Sequence, residues 1–169
     1  MNTMVTGIAN ARFVEFCLQN NVEFLLVGGA AVLHYGCRRC NDGLAEIDLL
    51  IEPTPVNASR MMAVLNQVLK EAGLIPHFTS EHLQQPKVQL PLKNQRHNYN
   101  LDILTPWVQL SYSGLRSRSE IGMLNSIEVR IVYWEDLIML KEYAINHHES
   151  EAAKHRSDLE CLRIQPKSR

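Results

Sequence analysis

At 169 residues and 46% hydrophobic content, the chain can bury one full core, since domains commonly run to roughly 100–150 residues. A formal net charge of −1 excludes nucleic-acid binding by overall surface charge and leaves only a local basic patch for such a contact. The opening residues lack a basic segment followed by an apolar one, and no apolar run approaches the roughly 20 residues that span a bilayer, so a soluble cytoplasmic protein without membrane contact is expected.

Residues 8–20 place apolar side chains at Ile8, Ala11, Phe13, Val14, Phe16, Cys17 and Leu18, the spacing of a packing helix or lid. Residues 22–27 form a β-rich apolar run that ends in Gly28-Gly29, and residues 30–35 form a short helix stopped near Gly36. Residues 47–51 make a second strand. Pro53 and Pro55 break it, and a helix follows through Met61, Met62, Val64, Leu65, Val68 and Leu69 to Gly73. Residues 74–78 and 88–92 read as weaker strands at an edge or in a hairpin, bounded by Pro86 and Pro91. Residues 99–104 alternate cleanly and form a strand. Residues 111–125 read as a variable loop, 127–132 as a strand, 134–144 as a helix opened by Trp134-Glu135-Asp136, and about 151–162 as a last helix. The order implies a mixed α/β sheet flanked by helices, as one domain spanning 1–169 with a core over about 22–133 and a C-terminal helical part over about 134–165.

Two features carry chemistry. The apolar strand ending in Gly28-Gly29 lets backbone N–H groups and a helix N-terminus face an anion with no Cβ in the way. About twenty residues on, Glu46 and Asp48 stand at i and i+2, so their carboxylates share one face of a strand while Ile47 and Leu49 point into the core. Asp102, between Leu101 and Ile103, adds a third acid. An acid at a strand end commonly just caps a turn, but the glycine pair, the i, i+2 acids and Asp102 together suit two Mg²⁺ ions holding a triphosphate.

Leu26-Val27-Gly28-Gly29-Ala30-Ala31, then His34-Tyr35-Gly36 with Arg39, then Glu46-Ile47-Asp48-Leu49-Leu50 resemble the signature of the nucleotidyltransferase superfamily, whose sheet is the polymerase β-like palm. Tyr99-Asn100-Leu101-Asp102-Ile103-Leu104 resembles the family's third-carboxylate strand. The run from Val132 to Ala144 and that from Lys154 to Leu162 are similar to small bacterial AbiEii-like and minimal nucleotidyltransferases of toxin–antitoxin systems. The resemblance covers about residues 22–162. It implies a nucleotidyltransferase fold (α/β, or α+β) and transfer of a nucleoside monophosphate from an NTP to a hydroxyl, with two Mg²⁺ ions on Glu46, Asp48 and Asp102. Asp102 is then the general base, while Gly28, Gly29, Arg39 and Lys141 bind the nucleotide's phosphates. Asp158 orients Lys141 or Arg156, or pairs with Lys154. The acceptor it allows is a tRNA end, a protein side chain or a small molecule such as an antibiotic, and an antitoxin is a possible partner.

Two features depart from the family pattern: the first acid is Glu46 where members carry Asp, and the segment ahead of it is about three residues longer. Both feed an alternative, a palm with a weakened metal site that acts as an RNA- or protein-binding module. Lys87, Lys93, Arg96, His97, Arg116 and Arg118 read as solvated loop charges or as a grip on an acceptor. Cys17, Cys37, Cys40 and Cys161 are expected as thiols, with no structural staple. Cys37-x-x-Cys40 beside His34 lacks the second pair that a zinc site needs.

Overall fold

The computed structural model describes residues 3–37, 45–147 and 149–164. Helix α1 (Ile8–Gln19) buries Ala11, Phe13, Val14 and Cys17 along one stripe, and it packs on α3 (Pro55–Glu71) and strand β4 (Tyr99–Leu104). Asn10 fixes its position. The side-chain amide donates to the Asn100 carbonyl at 3.1 Å and accepts from the Asn100 N–H at 3.0 Å, so it satisfies backbone groups of β4 as another strand would.

Strands β1 (Phe24–Val27) and β2 (Ile47–Ile51) run antiparallel at the centre of a six-stranded sheet of order β3-β4-β2-β1-β6-β5. Their near-continuous apolar sequences match strands covered on both faces. β2 pairs in parallel with β4, and β1 in parallel with β6 (Ile127–Ile131). Strand β3 (Gln89–Asn94) is an edge strand in a hairpin with β4, where Pro91 forfeits a donor that no further strand requires. The sheet is mixed, as the order of elements implies.

Helix α3 starts at Thr54, whose hydroxyl accepts from the Asn57 N–H at 3.3 Å, with Pro55 in the first turn. Asn57 is itself buried, donating to the carbonyls of Glu23 at 2.8 Å and Glu52 at 2.9 Å. It ties the helix start to the outer ends of β1 and β2. Beneath α1 and α3 the fully buried Phe13, Met61, Leu65, Ile47, Leu49, Ile51, Leu101 and Ile103 form the main core. Helices α2 (Gly28–His34), α5 (Trp134–His147) and α6 (Ala152–Ile164) make a second set, α2 touching β1, β2 and α5, and α5 lying along α6.

Three expectations are corrected. Residues 74–78 form no strand, and Leu74 and Ile75 are exposed, so the apolar run there finds no sheet edge to join. Residues 111–125 are not a loop but helix α4 (Tyr112–Arg118) and strand β5 (Glu120–Leu124). Ser111 caps α4 by accepting from the Gly114 N–H at 3.1 Å, and Tyr112 and Leu115, three apart, are the only buried residues of an otherwise polar helix. Gly122 in β5 weakens the strand pattern because a Cβ there would run into Ile131 and sit 2.9 Å from His34 Nδ1. Finally, Cys37 and Cys161 form a disulfide with their Cα atoms 5.5 Å apart. Sequence separation of 124 residues hides such a pair, because only the packing of α6 beside the end of α2 brings the sulfurs together. Cys17 is a buried free thiol, with burial raising its pKa.

Candidate active site

The open face of β2 and β4 sits beneath the α5–α6 pair and forms a cleft of about 240 Å³, lined among others by Gly28, Asp48, Asp102, Lys141, Trp107 and Tyr143. The parallel register of β2 and β4 sets Asp48 directly beside Asp102. Because side chains alternate along each strand, Leu50 and Leu104 continue the same face while Ile47, Leu49, Leu101 and Ile103 leave it for the core. Two neighbouring acids therefore follow from pairing alone.

Gly28 makes room for one of them. It takes φ of +62°, and a Cβ added to it would overlap the Asp48 carboxylate, so this position needs glycine for its backbone and for its neighbour. The Gly29 N–H donates to Asp48, which lowers its pKa, and the charge of Lys141 acts in the same direction. Burial and the charges of Asp102 and Glu46 outweigh them and push the Asp48 pKa up to about 6. The glycine turn thus seats an acid through an amide that the sequence reading assigned to phosphate.

Asp102 is buried, accepts from Gln89 Nε2 at 2.9 Å, and has Lys93 Nζ at 3.8 Å from Oδ1. Among the described residues, Oδ1 itself accepts no hydrogen bond. Glu46 is exposed at the rim. It accepts from Asn100 Nδ2 and pairs with Lys154 Nζ, each at 3.3 Å. Partial burial opposes ionisation of Glu46, but Lys154, Asn100 and Lys93 prevail and lower its pKa.

Lys141 is buried with its Nζ 2.7 Å from Asp158 Oδ2 and 3.4 Å from His155 Nδ1. Of the partners expected for Asp158, it takes Lys141; Lys154, one turn earlier, goes to Glu46. Burial and the charge of Lys141 lower the pKa of His155. A ladder of rings forms one wall: Trp107 stacks on Tyr143 at 3.8 Å between centroids, Tyr143 stacks on His147 at 3.9 Å, and Lys87 lies 5.7 Å from the Tyr143 centroid.

The structure therefore brings together Gly28, Gly29, Asp48, Asp102, Lys141 and Asp158, with Glu46 at the edge. Arg39 lies outside the described residues, as do Cys40, Asn41 and Asp42. Arg116 and Arg118 turn to neighbouring acids, at 2.9 Å from Glu23 and 2.8 Å from Asp136. His34 likewise meets Glu120 at 2.9 Å. Sequence reading missed the aromatic wall and the contacts of Gln89, Asn100 and Lys154. Trp107, three residues past the third-acid strand, and Tyr143, two past Lys141, were the available signal for the wall; the other three had none beyond being polar.

Among the described residues, no three His, Cys, Asp or Glu side chains are arranged to hold a metal ion. The donors nevertheless suit a divalent cation. Burial first, and then the neighbouring charge of Asp102, raises the Asp48 pKa, and among the described residues a buried oxygen of Asp102 lacks a hydrogen bond. Among the described residues, no helix is long and apolar enough to cross a membrane.

No protein-family model matches the chain, and no curated protein matches it significantly. A solved structure does: that of ANT(2")-Ia in complex with adenylyl-2"-tobramycin, with a TM-score of 0.55 and 16% identity over 90% of this chain and 84% of the other. The likeness is one of fold, and it meets the expectation drawn from the glycine turn and the acids: the chain has the nucleotidyltransferase fold.

Proposed function

We propose that the protein transfers a nucleoside monophosphate from an NTP to a hydroxyl acceptor, the bond between the α- and β-phosphates breaking and pyrophosphate leaving. The observation that carries this reading is the pairing of Asp48 with Asp102 in register on parallel strands, backed by the Gly28-Gly29 turn and faced by buried Lys141. Asp48 and Asp102, joined by Glu46, would hold Mg²⁺, with the three acids suiting two ions. Bound there, the metal supplies positive charge for the polyphosphate and acidifies the attacking hydroxyl.

The chain's own residues provide position and charge, which phosphoryl-type chemistry needs more than a protein nucleophile. Asp102 Oδ1, free of hydrogen bonds, accepts the hydroxyl proton. Lys141, held by Asp158 and His155, presents its charge to the phosphates, with Arg39 assigned the same task. The Gly28-Gly29 turn, expected to face the β- and γ-phosphates, serves them through the Asp48 carboxylate it seats. The adenylyl-2"-tobramycin held by the structural neighbour supports a small-molecule acceptor; a tRNA end, a protein acceptor or an antitoxin partner stands on the sequence resemblance.

Calorimetry of Mg²⁺ with ATP, GTP, CTP and UTP, followed by transfer of an α-labelled phosphate, tests the reading. Wild type is expected to bind at least one NTP in a metal-dependent way, and Asp48→Asn and Asp102→Asn to lose at least about 100-fold in transfer, more than removal of an outer-shell partner costs. Absence of metal-dependent binding in wild type overturns it. The engagement of Glu46 by Lys154 and Asn100 favours a second reading, a palm that binds without turnover. Metal-dependent NTP binding without transfer to any acceptor is its signature.

A further inference from the structure

Lys154 stands in the first turn of α6, outside the residues that line the cleft. Its ammonium nevertheless reaches the first acid of the glycine and acid pattern, 3.3 Å from Glu46 Oε2, across 108 residues of sequence. Both side chains are about half exposed, at 45% and 48%, and an ion pair so open to water adds little to folding. The contact has a clearer consequence for the three acids. Asp48 and Asp102 crowd each other inside the cleft, and Asp102 Oδ1 lacks a hydrogen bond, while Glu46 is turned to Lys154 and Asn100. The third carboxylate that sequence spacing puts on this face is thus engaged by a cation of the chain's own.

Resting on the nucleotidyl-transfer reading, we propose that Lys154 is a positioning residue that engages Glu46 and passes from it to the polyphosphate, freeing that carboxylate to join Asp48 and Asp102. The exchange is electrostatically matched. A triphosphate carries several negative charges, so it draws an ammonium away from a single carboxylate, and the freed carboxylate completes the set around a divalent ion. A lysine suits the task because its charge sits on a flexible stem with rotatable donors. Lys154 then acts with opposite sign on two ligands: it opposes binding of Mg²⁺ alone, and it favours binding of Mg²⁺ with NTP.

Opposite signs are what a merely structural surface pair does not produce. The test is calorimetry of MgCl₂ alone, and of MgCl₂ with ATP, GTP, CTP and UTP, on wild type, Lys154→Met and Lys154→Arg, with melting curves confirming that all three fold. Lys154→Met is expected to bind Mg²⁺ alone about three- to tenfold more tightly and Mg²⁺ with NTP weaker by a similar factor; Lys154→Arg, which keeps the charge, restores most of the NTP affinity. If wild type binds Mg²⁺ with NTP and Lys154→Met matches it in both titrations, or weakens both alike, the role of Lys154 is overturned while nucleotidyl transfer stands. If wild type binds none of the four NTPs, the parent reading falls and this one with it.

Discussion

Asp48 is held in a state that water alone would not favour. Burial and the charges of Asp102 and Glu46 raise its pKa to about 6, above its ordinary value, so between pH 4 and pH 6 the folded chain binds a proton that the unfolded chain releases. Stability is therefore greatest on the acid side of this window and falls as pH rises through 6, by on the order of 3 kcal/mol. Asp48→Asn removes the charge and with it the penalty. In chelator-containing buffer, melting curves are expected to show Asp48→Asn above wild type by roughly 6–12 °C at pH 7.5, with the gap narrowing as the pH falls towards the ordinary carboxylate range. A gap that stays constant across that range defeats the argument. Gain of stability on losing an active-site charge fits the general conflict between a preorganised site and a relaxed fold.

At the scale of elements, α6 carries more than its apolar face shows. It brings Lys154 to Glu46 and Asp158 and His155 to Lys141, and its Cys161 is bonded to Cys37 just beyond α2. Loops of this size give disulfides their largest effect in the chain-entropy picture. Cys161→Ala, compared with oxidised wild type, is expected to lose about 2–4 kcal/mol, or roughly 4–16 °C in midpoint, and thiol titration of the unfolded, unreduced wild type should find two fewer thiols than the reduced chain holds. Equal thiol counts would show that the bond does not form. Of these contacts the sequence offered only Lys141, as one of three partners for Asp158; the reach of Lys154 to Glu46 and the bond of Cys161 to Cys37 were not legible in it. By contrast β2 and β4 were readable nearly to the residue, because alternation around Asp48 and Asp102 is a local property. The miss at α4 and β5 has the opposite cause: Tyr112, Leu115 and Gly122 make sense only against partners far along the chain. The glycine turn and three acids were found from spacing, whereas the side chains that hold Asp102 and Glu46, those of Gln89, Asn100 and Lys154, are ones no spacing singles out.

For the whole molecule, the decisive question is whether the C-terminal helices form a unit apart from the sheet. Lys141 and Asp158 pair at 2.7 Å with side chains only 5% and 4% exposed, and such a pair loses its partner's compensation if either helix leaves while the other stays. Leu137 and Leu162 are fully buried with the rest of the core, Arg118 ties α4 to Asp136 of α5 through two hydrogen bonds, and α2 touches both the sheet and α5. Detaching α5 and α6 together would keep that pair but break the Arg118–Asp136 contact, open the cleft and expose apolar surface at once, so the helices and the sheet should unfold together. Trp107 follows β4 and Trp134 begins α5, giving fluorescence from the junction itself. Thermal unfolding followed by tryptophan fluorescence and by far-UV circular dichroism is expected to give superimposable single transitions for the oxidised chain. A fluorescence change that precedes loss of the circular dichroism signal would instead mean that the helical pair melts from an intact sheet, and would divide the chain near residue 134.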